Sequence, residues 1–234
     1  MRITAEAKAE TRDRIIEAAA RLFTTDGWEN TTTRGIAAAS GIAAGTLFNY
    51  FETKEAIVAA LMSEALEAAQ AEVRKRRGAD QLPDESLEEE LFALIWTELK
   101  SLKEYRKFLP AAAETILSPM RHSVAGSPGE SLRMNHLKAV EDIVGAHRPA
   151  VPLPQLTLQL YWTLYLGVFA WWAADHSPKQ EDTLALLDHS LKLFVASLDQ
   201  LVQLEKGDRH HDRQPERSHR RASARGKRRA SKRR

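Results

Sequence analysis

No cysteine occurs among the 234 residues. Disulfides, thiolate metal sites and cysteine nucleophiles are excluded together, and a reducing, cytoplasmic setting is the expectation. Proline and glycine are also sparse, 9 and 11 residues, so few positions break a helix or force a turn. The opening MRITAEAKAETRDR holds no apolar run, so secretion is not expected. The glycosylation triplet Asn30-Thr31-Thr32 then has no bearing.

Catalytic and metal-binding constellations are lacking as well. His122, His136, His147, His176 and His189 are scattered without ligand spacing. The Glu-x-x-His pair Glu216–His219 lies in the tail rather than the body, so no di-iron bundle, metal or other cofactor is expected. Asp175-His176-Ser177 has the composition of a triad, but chain neighbours rarely face one another as a catalytic unit, and no nucleophile elbow accompanies them. Helix-end capping is the better reading there, and an enzyme is not expected.

Hydrophobic residues make up 43% of the chain, and their spacing is helical almost throughout. The first helix spans Ala5 to Thr25, with Ile15, Ile16, Ala19, Leu22 and Phe23 on one stripe. Asp26-Gly27 ends it, and Trp28 is expected to fold onto the core. Thr31 to Thr33 offer an N-cap for the next helix, and Thr53 one for a helix from Lys54 to Arg77. Gly78 to Asp84 reads as a hinge. Further helices are expected at about Ser86–Leu102, Glu104–Leu117 (bent or begun afresh at Pro110), Ser131–His147, Gln155–Ala174 and Glu181–Leu204. Ser118 to Glu130 reads as loop and Arg148 to Pro154 as a rigid connector. The architecture is all-α.

Gln155 to Ala174 is apolar nearly all round, but its unbroken apolar run is only Leu164 to Ala174. A membrane span needs roughly 20 such residues. No membrane partner is expected; the helix belongs between other helices or between two subunits. Glu181 to Leu204 carries Leu184, Leu187, Leu191, Phe194, Val195, Leu198, Leu201 and Val202, close to a heptad seam.

Charge is unevenly divided. Residues 206–234 hold 13 basic and 3 acidic side chains, leaving 21 and 29 of the total 34 and 32 for the rest. An acidic helical body of net −8 therefore ends in a basic tail of net +10. The tail, with Arg-Arg-Ala-Ser at 220–223 and again at 228–231, is too poor in apolar residues to order itself.

The stretch Thr32 to Glu55, TTRGIAAASGIAAGTLFNYFETKE, carries the strongest motif. Ile36 and Ala37 give a short helix its apolar face, Gly41 sits where the chain must reverse, and Leu47, Phe48 and Phe51 recur at helical spacing. Two helices of about two turns around a glycine turn form a helix-turn-helix, whose second helix enters the DNA major groove.

Thr33 to Ala37, Ser40-Gly41-Ile42, Gly45 to Phe51 and Lys54-Glu55 closely resemble the signature of the tetracycline-repressor family of transcriptional regulators. The resemblance covers about residues 8 to 62. It implies a homodimeric regulator, usually a repressor released by a small-molecule effector: an N-terminal three-helix DNA-binding module (1–55), a larger effector-binding and dimerisation domain (56–205) and the tail (206–234). Position by position, it implies phosphate contacts by Thr33, Tyr50 and Lys54. Arg34 belongs to the same surface, and Ala44, Gly45, Thr46, Phe48 and Asn49 lie on or near the base-facing side. Many relatives have Ser where Ala43 stands and Tyr where Phe48 stands, so an oxygen cap and a hydroxyl contact are both missing here.

The expected partners are a DNA operator, a second copy through about 155–174 and 181–204, and an unknown small apolar or aromatic effector. Trp96, Phe108, Trp162, Tyr165 and Phe169 are candidates to line its pocket, although aromatics at helical spacing serve equally as core. Residues 1–55 carry 7 basic and 8 acidic groups, unusual for a DNA-binding module, whose affinity rests on phosphate neutralisation. The tail either supplies that attraction or is a solubilising extension without a contact role. The alternative is a non-specific, architectural DNA-binding protein driven by the tail; both readings place the protein in the cytoplasm, at the nucleoid.

Overall fold

The computed structural model describes residues 4–78, 85–117, 127–149 and 153–211, which contain helices and their connections and no strand. The expected tail, the Gly78–Asp84 hinge beyond Gly78, most of the Ser118–Glu130 loop and part of the Arg148–Pro154 connector lie outside the described residues. The chain divides into two units, Met1–Leu191 and Lys192–Arg234.

Helix α1 spans Ala5–Thr25, opened by the Thr4 hydroxyl, which accepts from the Ala7 amide at 3.2 Å. Ile15, Ile16, Ala19 and Phe23 are buried, and Gly27 leaves the helix at φ +84°, which a side chain would strain. Helix α2 is Thr33–Ala39, α3 Ala44–Leu47 and α4 Lys54–Gly78. Of the three threonines offered, Thr32 caps α2, accepting from Gly35 at 3.1 Å; Thr53 caps α4 through the Ala56 amide at 3.1 Å. Helix α4 packs against α1 on one side and against the later helices α5 (Leu87–Ser101), α6 (Leu109–Ile116) and α7 (Pro128–His147) on the other. It is the shared strut of the unit.

Helix α5 begins with a reciprocal capping box between Ser86 and Glu89. A 3-10 turn at Lys103–Tyr105 separates it from α6, which starts afresh with Pro110 in its first turn, where proline costs no hydrogen bond. Helix α8 is Gln155–Ala174 and α9 Glu181–His211.

Three boundaries differ from the sequence reading. Helix α3 is one turn rather than two. Helix α7 starts at Pro128 instead of Ser131, because proline is welcome at N1 and the Ser127 hydroxyl caps the Glu130 amide at 3.3 Å. Helix α9 continues to His211, past the expected end at Leu204. Among the described residues no helix is long and apolar enough to cross a membrane.

The core of the first unit contains a buried polar cluster joining four helices. Gln70 on α4 donates to Glu98 Oε1 on α5 at 3.0 Å. His136 Nδ1 on α7 stands 3.1 and 2.9 Å from the two Glu98 oxygens, and its Nε2 is 3.1 Å from the Tyr161 hydroxyl on α8. The Tyr165 ring lies 4.0 Å from the His136 ring. Burial first, and then the Glu98 carboxylate, push the Tyr161 and Tyr165 hydroxyls well above the usual phenol range. Both tyrosines therefore stay neutral. Polar groups buried this deeply require such partners.

Candidate nucleic-acid interface

The reversal between α2 and α3 is locked by backbone geometry. Gly41, at φ +70°, donates to the Ala38 carbonyl at 3.1 Å, and Ile42 donates to Ala37 at 3.0 Å. This is a Schellman closure, which requires the left-handed conformation that glycine adopts cheaply. The buried Ser40 hydroxyl adds a bond to the Ile36 carbonyl at 2.6 Å. The turn thus sets the entry direction of α3 without help from α3 itself.

Helix α3 is held by what it buries. Leu47 is fully enclosed and Phe51 nearly so. Ala43 stands at its N-cap in extended conformation with no side-chain cap bond, as expected of an alanine there. Around these two anchors the chain turns Gly45, Phe48 and Asn49 outward, while Ala44, Thr46 and Tyr50 are half-buried at the edges of that face. Phe48 is 51% exposed, a large apolar ring offered to solvent. Gly45 has a negative φ, and open space surrounds the position its Cβ would occupy. Nothing inside the fold calls for glycine there.

At the start of α2, Arg34 is exposed and Thr33 half-buried. Lys54, at the start of α4, is already engaged. Its Nζ donates to the Trp28 carbonyl at 2.8 Å and lies 4.2 Å from the Trp28 ring centroid. Of its three donors, one is spent internally. Trp28 was expected only as core; its role as the seat of Lys54 spans 26 residues and leaves no local signal in the sequence.

The five aromatic residues considered for an effector pocket are not gathered in one place. A cavity of about 590 Å³ lies between α6 and α8, lined by Pro110, Ala113, Leu117, Leu166, Phe169 and Ala170 among others, with the Glu114 carboxylate the one charged side chain. Phe169 lines it. Trp162 and Tyr165 stack on each other at 5.1 Å beside His136. Phe108 packs on Phe23 at 5.1 Å, and Trp96 is half-buried on α5, away from the cavity wall. On α8, Leu156, Leu160 and Trp171 are exposed, 82%, 47% and 52%, at positions that share one helix face.

Asp175 does what a helix-end residue does. It accepts from the Ser177 amide at 2.7 Å and from the Thr183 amide at 3.0 Å and hydroxyl, covering the first turn of α9. Hydrogen bonds from Ser177 and then Thr183 hold its carboxyl well below the usual range. Among the described residues no three His, Cys, Asp or Glu side chains cluster as metal ligands would.

Residues 15–61 match the family described as "Bacterial regulatory proteins, tetR family". The chain is similar to the uncharacterized HTH-type transcriptional regulator YhgD of Bacillus subtilis, 24% identical over 190 residues, covering 77% of this chain and 92% of that one. Among solved structures it is similar to Thermus thermophilus FadR, a repressor crystallised with lauroyl-CoA. The TM-score is 0.61 at 24% identity, over 79% of this chain and 93% of that one. It is also similar to a regulator from Nitrosomonas europaea, with TM-score 0.58 at 23% identity, over 79% and 97% of the two chains.

Proposed function

This chain belongs to the tetR family of bacterial regulatory proteins and is a DNA-binding transcription regulator; from that premise we propose that it is a homodimeric repressor released from its operator by a small apolar effector. The observation that carries the reading is the outward face of Gly45, Phe48 and Asn49, fixed by Leu47 and the Gly41 closure. Residues 1–55 read DNA: Thr33, Tyr50 and Lys54 meet phosphates with Arg34 beside them. Gly45 admits close approach, and Ala44, Thr46, Phe48 and Asn49 complete the side turned to the bases. Residues 56–205 hold the effector and the second copy.

The cavity between α6 and α8 supports an apolar effector, being lined mostly by apolar side chains and within the roughly 300–1,000 Å³ usual for small-molecule sites. The lauroyl-CoA held by the Thermus relative carries an acyl chain of the same apolar character. The exposed Leu156, Leu160 and Trp171 support pairing through about 155–174 together with 181–204. Effector binding acts by favouring a separation of the two reading modules that no longer fits the operator.

Selection of bound duplexes from random DNA tests the proposal. Enrichment of one near-palindromic site, with half-sites about 34–36 Å apart, is the expected result; equal affinity for every duplex would favour the architectural reading. The +10 tail favours that second reading and has its own test. Truncation after Glu205 should flatten the dependence of affinity on salt, since fewer phosphates are neutralised. An unchanged slope removes the tail from DNA binding.

A further inference from the structure

The cavity between α6 and α8 has an apolar floor and an open rim that carries one charge. Ala113, Leu117 and Phe169 are the buried part of its lining. The exposed part comes from both helices: Gly167 and Ala170 from α8, Pro110 and Glu114 from α6. Pro110 and Glu114 stand four residues apart and so share one face of α6. Among the described residues no Lys, Arg or His lines the cavity, and none forms an ion pair with Glu114. The two basic residues just before α6 are committed elsewhere. Arg106 Nε donates to the Ala173 carbonyl at 3.2 Å and a second guanidinium nitrogen donates to the Asp175 carbonyl, at the end of α8. Lys107 Nζ donates to the Thr24 carbonyl at 2.8 Å, in the last turn of α1. The Glu114 carboxylate is left to water.

We propose that Glu114 is the specificity-determining residue of this cavity, which takes an amphiphile with a single cationic head: an ammonium group on an alkyl or aryl body. The proposal rests on the cavity between α6 and α8 being the effector seat. Three ligand chemistries part company at the rim. Any body seated on the apolar floor displaces water from the carboxylate beside it. A neutral ligand gives nothing in exchange for that lost hydration. An anionic one adds like-charge repulsion, and a cationic one offsets the loss by direct attraction. The face of Phe169, the one aromatic ring in the lining, is a second feature that favours a cation. Because Glu114 is exposed, the discrimination is modest, about fivefold on either side of a neutral ligand. Acyl ligands that end in a carboxylate or phosphate are therefore disfavoured, although their chains suit the floor.

Probes that share one decyl chain isolate the head group. Decyltrimethylammonium, decanol and decanoate are each titrated into the full chain by calorimetry, at concentrations too low for micelles. The ammonium should bind about fivefold tighter than the alcohol and decanoate about fivefold weaker. Glu114→Gln, an exposed and isosteric change, should bring all three to within about twofold of one another. Glu114→Lys should invert the order. Ala170→Trp, exposed on the rim, fills the mouth and should remove binding of all three. If no probe binds the parent chain, or if binding survives Ala170→Trp unchanged, the effector-cavity reading falls together with the proposal. If Ala170→Trp abolishes binding but the three heads bind the parent chain alike, or Glu114→Gln leaves their order intact, the proposal alone is overturned.

Discussion

Helices α3 and α5 are built on opposite plans. Helix α5 has fifteen residues, a complete capping box and a mostly buried inner face from Leu87 to Leu99. Helix α3 has four residues, an alanine at its N-cap, a glycine within it and Leu47 alone buried. One satisfies its own backbone and core. The other takes its direction from the Schellman turn before it and leaves its surface uncommitted. Local stability is low at the proposed DNA face, the usual trade between stability and function. The buried cluster of Glu98, His136 and Gln70 marks the opposite extreme, a set of polar groups whose hydrogen bonds are made within the fold.

That contrast breaks if mutations in the two regions have the same signature. His136→Ala should have the largest effect on stability, about 3–5 kcal/mol, because it leaves the Glu98 carboxylate buried without its main partner. Urea titration measures it, and replacing Glu98 and His136 together by leucine should recover most of the loss. Phe48→Ala should do the reverse. Operator affinity falls about 5- to 150-fold, the range of a lost base contact of roughly 1–3 kcal/mol, while the urea midpoint hardly moves, as for other exposed sites. Gly45→Ala sharpens the comparison further. The added methyl meets open space, so folding should gain about 0.5–1 kcal/mol while a filter-binding assay shows weaker operator affinity. A mutant that gained in both respects would show that nothing approaches α3 closely.

The smallest effect expected concerns Asp175. Its folded-state carboxyl lies below the ordinary value of 3.8. Its contribution is therefore present above that value and lost as pH falls through the folded-state one. The thermal midpoint of Asp175→Asn should trail that of the parent at neutral pH, and the gap should close in strong acid.

Elements bounded by local chemistry were legible in the sequence. Asp26-Gly27 closes α1, Pro154 and Asp175 bracket α8, and the structure has those ends where the residues stand. Misreadings arose where one residue type permits two outcomes. Pro128 looked like loop yet serves as a first-turn proline, and the spacing of Leu47, Phe48 and Phe51 suggested a longer α3 than the single turn that forms. The outward face of α3 follows from the motif together with Leu47 as anchor. Aromatic spacing could not separate pocket from core: Phe108 went to Phe23, and Trp162 and Tyr165 to His136, leaving Phe169 at the cavity. Pairs such as Lys107 with Thr24, 83 residues apart, and Lys54 with Trp28 exist only after folding.

Leu156, Leu160 and Trp171 leave an apolar stripe exposed on α8 among the described residues. Pairing of two copies over that stripe, as proposed above, would make operator binding answer to the protein's own abundance. When chains are scarce, the paired form scales as the square of their number, so halving expression cuts operator-competent protein about fourfold. Mutating Leu156 would then act as a change of dose, shifting the expression level at which repression sets in while leaving the preferred operator the same.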